Sequence, residues 1–478
     1  MALKDWLKVW FPYQRHPDSR LQPLWTLTQL SALALPFSSL LGGVGILVAA
    51  IGVWQQRSQA IVRRPLNRGF AVLSGLMLLS AALAFKPPEA FLGLFNFLPF
   101  FFVFAALSEL LQTPAQLRRL AWILVLGSVP VVAIGVGQQF CGWAGTVQVL
   151  WVVLNWTIDP TGNPPGRMAS IFFYANVLAS YLAITLTLSV GLLVEAWIGD
   201  GQRQTTNGKR QTDSGDRGTR EQREEGVFLP RSPLPTHALP TRLFLAVTVL
   251  GNAIALILTD SRNAWAIAIL ACLAYALYLG WRWLLVGVGV VMGSTLGAAF
   301  GPSPVREWLR SVVPAFFWAR LTDQLYPDRP VAELRRTQWQ FAWSLAQQHP
   351  LTGWGLRNFS PIYEAQMHYF IGHPHNLVLM LAAETGLPAT LLFLGLVGWV
   401  VVQGSACLHQ WNTSSDGITR PNRRDRLIYF TVLVAFMGCT LFSLLDITLF
   451  DVRINLLGWL LLSAIAGITY RHTAAPSQ

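Results

Sequence analysis

Charge is scarce in this chain. Asp, Glu, Lys and Arg make up 12% of its 478 residues, about half the share of an ordinary soluble domain. That shortage excludes a water-soluble globule dressed in ions. Cysteine is nearly missing too. Cys141, Cys272, Cys407 and Cys439 are widely scattered, and at least two sit inside apolar runs, so neither a disulfide framework nor a zinc-type ligand spacing appears. Alternating strand-like segments of about ten residues are absent, which excludes a membrane barrel. A phosphate-binding P-loop and a dinucleotide glycine pattern are absent as well, which fits chemistry outside the cytoplasm, where nucleotides are absent.

Apolar residues are abundant. They form 53% of the chain and come in runs of about 18 or more, long enough to cross about 30 Å of hydrocarbon as helix. Only helices and closed barrels satisfy their backbones in lipid. The expectation is therefore an all-α, polytopic membrane helical bundle. The net charge of +12 does not imply nucleic acid as a partner, because cytoplasmic loops of membrane proteins collect Lys and Arg. Residues 1–21 do not resemble a cleavable signal peptide. They are polar, basic and aromatic, with Trp6, Trp10 and Phe11 suited to the membrane interface.

Arginine placement orders the spans. Lys4, Lys8, Arg15 and Arg20 put the N-terminus inside, and Arg57, Arg63, Arg64 and Arg68 put the next loop inside too. Leu24–Val53 is then a cramped helical hairpin broken near Pro36 and Gly42–Gly43, with a single long tilted helix as the alternative. Continuing this alternation predicts about twelve spans with both termini cytoplasmic. It divides the chain into an interfacial N-terminus (1–21), a membrane bundle (22–301) interrupted by a disordered cytoplasmic linker (199–242), an extracytoplasmic loop (302–375), C-terminal membrane helices (376–470) and a cytoplasmic tail (471–478). Topology does not account for the arginines left on the outer side: Arg167, Arg262, Arg306, Arg310, Arg320, Arg335, Arg336 and Arg357. A half-buried cation costs several kcal/mol, in order of magnitude, unless an anion answers it. A phosphate-bearing substrate is one such anion.

Four constellations carry these residues. Thr259-Asp-Ser-Arg262-Asn-Ala-Trp265 is a turn between two apolar runs; Arg262 there is either a snorkelling helix-end residue or a bidentate phosphate contact. In Glu333-Leu-Arg335-Arg336-Thr-Gln-Trp339, continued to Trp343, Arg335, Trp339 and Trp343 share one helical face, as in an amphipathic helix on the membrane surface. His349-Pro-Leu-Thr-Gly353-Trp-Gly355 ends that helix, with glycines that would let backbone approach a ligand. Gly372-His373-Pro-His375-Asn376 precedes another span. Two histidines suggest zinc, but no carboxylate or cysteine stands nearby at a ligand spacing, so no metal is expected; His375 is either a capping residue or a general base. Glu384, two turns into that span, reads as structural. Gly162-Asn163-Pro-Pro-Gly-Arg167 adds a possible phosphate contact in Arg167, while Asn176 more often bonds between helices. Asp446 and Asp451 in the last outer turn pair with arginines or assist an acceptor hydroxyl.

The run R-x-x-x-W…HPLTGWGLRNF…HPHNLVLMLAAETGL, with SRNAW and GRMASIFFYANVLASYL before it, resembles the O-antigen ligase/polymerase superfamily, the Wzy-type and WaaL-type membrane proteins. The resemblance covers roughly Gly162–Gly386. It implies a GT-C-like fold in a bacterial plasma (inner) membrane. It also implies metal-independent, cofactor-free transfer of a glycan from undecaprenyl diphosphate to an acceptor hydroxyl on a glycan, lipid or protein. Arg262, Arg335 and His375 would carry catalysis, with Arg336 adjacent to Arg335; Arg167, His373 and Asn376 complete the expected substrate-binding set. The segment LRRTQWQFAW is similar also to IctB-like cyanobacterial proteins assigned to bicarbonate transport, which makes an anion transporter the rival reading. The His-Pro-His-Asn form and the position of the cations outside the spans favour transfer chemistry.

Overall fold

The computed structural model describes residues 15–150, 153–212, 238–322, 330–413 and 421–474. The chain is a polytopic helical membrane protein. Among the described residues, ten helices are long and apolar enough to cross a membrane. The expected interfacial segment lies mostly in 1–14, and the end of the tail in 475–478, both outside the described residues.

Leu24–Val53 does form a hairpin. Helix α1 (Gln22–Ala34) and helix α2 (Ser39–Arg63) pack along each other across the turn at Pro36. Ser38 caps α2 by accepting from the Leu41 N–H at 3.1 Å. With 13 residues, α1 is only about 20 Å long at 1.5 Å per residue, too short to span alone. The bundle continues with α3 (Pro65–Ala82), α4 (Pro87–Gly93), α5 (Leu98–Leu110) and α6 (Pro114–Phe140). Proline at the first turn is tolerated because it removes an N–H that has no helical partner there. A capping box between Thr113 and Gln116 starts α6.

After α6 the structure departs from the expected plain loop. Residues Gly145–Val149 (β1) and Leu154–Ile158 (β2) pair as an antiparallel hairpin. Its Trp156 indole N–H donates to Phe37 O at 2.6 Å, pinning it to the α1–α2 turn. The runs are too short for a barrel signal but rich enough in Val and Thr to pair locally.

Helix α7 (Ala175–Thr212) runs further than expected, so the predicted linker starts as helix. Its remainder, 213–237, lies outside the described residues. Then come α8 (Ala238–Leu258), α9 (Arg262–Leu279) and α10 (Arg282–Phe300). The expected loop 302–375 is largely helical where described: α11 (Val305–Val312), α12 (Ala315–Leu321), α13 (Arg335–Gln348) and α14 (Phe359–Met367). Helices α15 (Leu377–Thr413), α16 (Arg423–Ser443) and α17 (Val452–Ala474) complete the chain. Helix α7 and helix α17 form the centre, with 83% of each spanning window buried, whereas α10 is peripheral at 11%.

Two separate sets of polar ties mark the two ends of the bundle. At one end Arg118 on α6 pairs with Glu195 on α7 (2.5 Å) and Asp425 on α16 (2.8 Å), and Arg64 pairs with Glu109 and stacks over Tyr470. The loops at the other end carry the candidate residues.

The glycines of His349–Gly355 serve backbone packing rather than a ligand. Trp354 N–H donates to Ala383 O (2.9 Å), Gly355 N–H to Glu384 O (2.7 Å) and Leu387 N–H to Pro350 O (2.7 Å). A Cβ on Gly353 would stand 2.4 Å from Glu384 C, and one on Gly386 would stand 2.4 Å from Leu351 O. Helix α15 breaks at Gly386 (φ 80°, ψ 165°), one residue before Leu387-Pro388, to admit this segment. Only glycine adopts that backbone region readily. We expect Gly386→Ala to cost about 1–3 kcal/mol, visible as a lowered thermal midpoint of the purified protein in detergent, with Gly395→Ala, which meets open space, unchanged.

Candidate functional site

Helix α13 forms where Arg335, Trp339 and Trp343 predicted a helix, but its packing face is different. Gln338, Ala342, Leu345 and Ala346 are buried against α15, while Trp343 is exposed. The helix is docked on the bundle, which aims its first residue, Arg335, toward the start of α15.

That start is the chemical centre. Asn376 caps α15: its Oδ1 accepts from the Leu379 N–H at 3.0 Å, and its Nδ2 donates to Leu444 O at 3.0 Å. Both polar atoms of Asn376 are thus engaged in structure rather than held out for substrate. The preceding residue, His375, sits in the left-handed region at φ 53°, which a histidine adopts only when its surroundings demand it. The demand is visible. His375 Nδ1 lies 2.7 Å from Asp446 Oδ1, and the His375 N–H donates to His373 Nδ1 at 3.2 Å. The two imidazoles meet edge to face at 4.5 Å, and His373 stacks on Phe450.

Asp446, only 3% exposed, is one of the two acids of the last outer turn that the sequence offered as arginine partners or aids to an acceptor hydroxyl; what the sequence did not offer is its pairing with His375. It lies in the turn between α16 and α17, 71 residues from His375. Its Oδ1 also accepts from the Ile447 N–H at 3.0 Å, and its Oδ2 accepts from Asn176 Nδ2. Burial works to raise its pKa, but the hydrogen bond and charge of His375, followed by His373 and Arg335, overcome it and hold the carboxyl down at about 2. Against an ionised Asp446, His375 Nδ1 carries the proton. Its Nε2 then keeps the lone pair, as a base requires. The one sequence signal for Asp446 is that acids are rare in this chain and this one closes a span.

The arginines gather unevenly. Arg167 donates from Nε to Thr259 O (2.8 Å) and from Nη2 to Asn176 Oδ1 (2.5 Å). The turn carrying Arg262 is tied to the same place, since Asn263 Nδ2 donates to Leu445 O at 3.4 Å. Arg262 itself is the first residue of α9, and Arg336 is exposed beside Arg335 on α13. Arg335 lies within electrostatic reach of His373, Asp446 and Tyr174. Tyr174, two residues before Asn176, is pushed to higher pKa by burial and Asp446, against the pull of Arg167 and Arg335. Other arginines have structural partners: Arg310 donates to Ala298 O and lies over Trp318, Arg357 pairs with Glu89, and Arg453 pairs with Asp451. Glu384 accepts from the Phe359 N–H at 3.1 Å, a structural role as expected.

The candidate ligand atoms of His373, His375 and Asp446 all lie within 4.8 Å of one another. The missing carboxylate of the zinc argument is therefore supplied by the fold. In this arrangement, however, the three bond to each other: His375 Nδ1 faces Asp446, and His373 Nδ1 accepts a backbone N–H. The set reads as a hydrogen-bonded chain.

Burial pushes His373 down to about 4, with His375 and Arg335 adding to the effect and Asp446 opposing it. A depressed folded pKa means that the unfolded chain takes up the proton first. Stability is therefore complete above about pH 6.5 and falls as pH drops toward 4. Thermal unfolding in detergent across this range should show the decline, and His373→Gln should flatten it.

Comparison with known protein families gives one match: residues 246–394 fit the family model described as O-antigen ligase, about a third of the chain. No curated protein matches the chain. The matched stretch holds Arg262, Arg335, Arg336, His373, His375 and Asn376, whereas Arg167, Asn176 and Asp446 lie outside it.

Proposed function

We propose that the chain, whose residues 246–394 fit the O-antigen ligase family model, transfers a glycan from undecaprenyl diphosphate to an acceptor hydroxyl. The reaction takes place at the bundle end that carries His375, on the extracytoplasmic face of a bacterial inner membrane. The observation that carries this reading is the His375–Asp446 pair, set among Arg335, Arg167 and the Arg262 turn.

The chemistry follows from the groups. His375 Nε2 takes the proton of the acceptor hydroxyl, and the imidazolium that forms is stabilised by Asp446. The acceptor oxygen forms its bond to the anomeric carbon as the bond from that carbon to the diphosphate oxygen breaks. Undecaprenyl diphosphate departs with the electron pair, and guanidinium groups answer its growing charge. Arg262 and Arg335 are assigned to that diphosphate, with Arg336 at its exposed margin. A lipid-linked diphosphate is already activated, so the step calls for no nucleotide.

The rival, an anion transporter of the IctB-like kind, would place its cations near the bilayer midplane within broken helices. Here they stand at one end of the bundle beside a proton-accepting pair, and the break in α15 at Gly386 is filled by the chain's own backbone.

Membranes of a strain lacking the protein should accumulate lipid-linked glycan. Adding back the wild-type chain should discharge it. His375→Ala and Asp446→Asn should slow that discharge by about 100-fold or more, with the proteins still present and folded in membranes. Arg335→Ala should raise the donor concentration needed for half-maximal rate. Normal discharge by His375→Ala sinks this function.

A further inference from the structure

One half-buried amide joins the two halves of this site. Asn176 opens α7, outside the segment matched to the family. Its Oδ1 accepts from Arg167 Nη2 at 2.5 Å, and its Nδ2 donates to Asp446 Oδ2. Asp446 then presents Oδ1, not Oδ2, to His375 Nδ1 at 2.7 Å. Arg167 is anchored in turn on Thr259 O at 2.8 Å, three residues before Arg262. The result is one unbroken chain of hydrogen bonds from the Arg262 turn to the imidazole.

The residue type matters at this link. A side-chain amide accepts with its oxygen and donates with its nitrogen, so it can face a guanidinium and a carboxylate at once. A carboxylate there would repel Asp446, and an ammonium would repel Arg167. Direct contact of Arg167 with Asp446 would join them as an ion pair, drawing the guanidinium toward the protein and the carboxylate away from His375. The interposed amide holds the two charges apart yet fixes both.

We propose that Asn176 is a positioning residue that sets the Asp446 carboxylate for His375 and ties that pair to Arg167, so that the orientation of the base depends on one amide. This role rests on the transferase reading above. The charged and titratable groups around Asp446 are His375, His373 and Arg335, with Tyr174 and Arg167 on the side of α7.

The test uses the purified full-length protein in detergent and membranes of a strain lacking it, which supply accumulated lipid-linked glycan and unmodified acceptor. Asn176→Asp keeps the shape but places a second carboxylate beside Asp446. It should lower kcat by about 10-fold or more with donor KM nearly constant, and move the acid limb of the pH–activity curve to higher pH, because added negative charge favours protonated His375. Asn176→Gln, which keeps the amide, should retain the wild-type acid limb with a smaller loss of kcat. If Asn176→Asp does not fold, Asn176→Ser, which removes the amide without adding charge, should show the loss of kcat with donor KM nearly constant. Wild-type kcat and acid limb in these variants, while His375→Ala is inactive in the same membranes, would overturn the role of Asn176 alone. Normal turnover by His375→Ala would overturn the transferase reading, and this role with it.

Discussion

A carboxylate that is 3% exposed at the end of a membrane bundle sets the terms for everything around it. A buried charge is tolerated only when it is paired and hydrogen-bonded. Asp446 meets that requirement with three donors drawn from three places in the chain: His375, the backbone of Ile447 and Asn176. Satisfying one acid therefore fixes the loop before α15, the start of α7 and the turn between α16 and α17 against one another. The same bonds leave His375 with a defined tautomer. The need to satisfy a buried acid and the orientation of an imidazole are met by a single arrangement.

Rigidity behind the site comes from a second device. The segment 349–355 lies against α15 through paired backbone hydrogen bonds, and α15 opens at Gly386 to receive it. Phe85 N–H donates to Trp354 O at 2.9 Å, which extends the clamp to the end of α3. Because α13 packs on α15 as well, Arg335 and His375 are held on one scaffold. Such a scaffold fixes a helix-mounted arginine relative to a histidine that is itself held by His373 and Asp446.

Much of the architecture was legible from periodicity and charge. Apolar runs between arginine clusters marked the spans, Pro36 marked the hairpin break, and the expected polar turn at 260–263 marked the break between two helices, which the structure places at 259–261. The resemblance to the O-antigen ligase/polymerase superfamily was carried by motifs in Gly162–Gly386, and residues 246–394 fit the O-antigen ligase family model. What periodicity could not show was which face of α13 would be buried, since Gln338 and Ala342 pack while Trp343 remains exposed. The glycines of 349–355 were misread for the same reason: a glycine signals close approach of backbone, but not to what. The hairpin at 145–158 was too short to register.

The sequence by itself determined a helical membrane bundle, its breaks, and the residue types available for phosphate and proton chemistry, because hydrophobic length, proline and scarce charge act locally along the chain. Only the tertiary structure decided which of those residues share a site. Asp446 reaches His375 across 71 positions, and Asn176 reaches Asp446 across 270. Such pairings are set by how helices stack and by the cost of leaving a buried polar atom unmatched, quantities that belong to the packed bundle and to no single stretch of it.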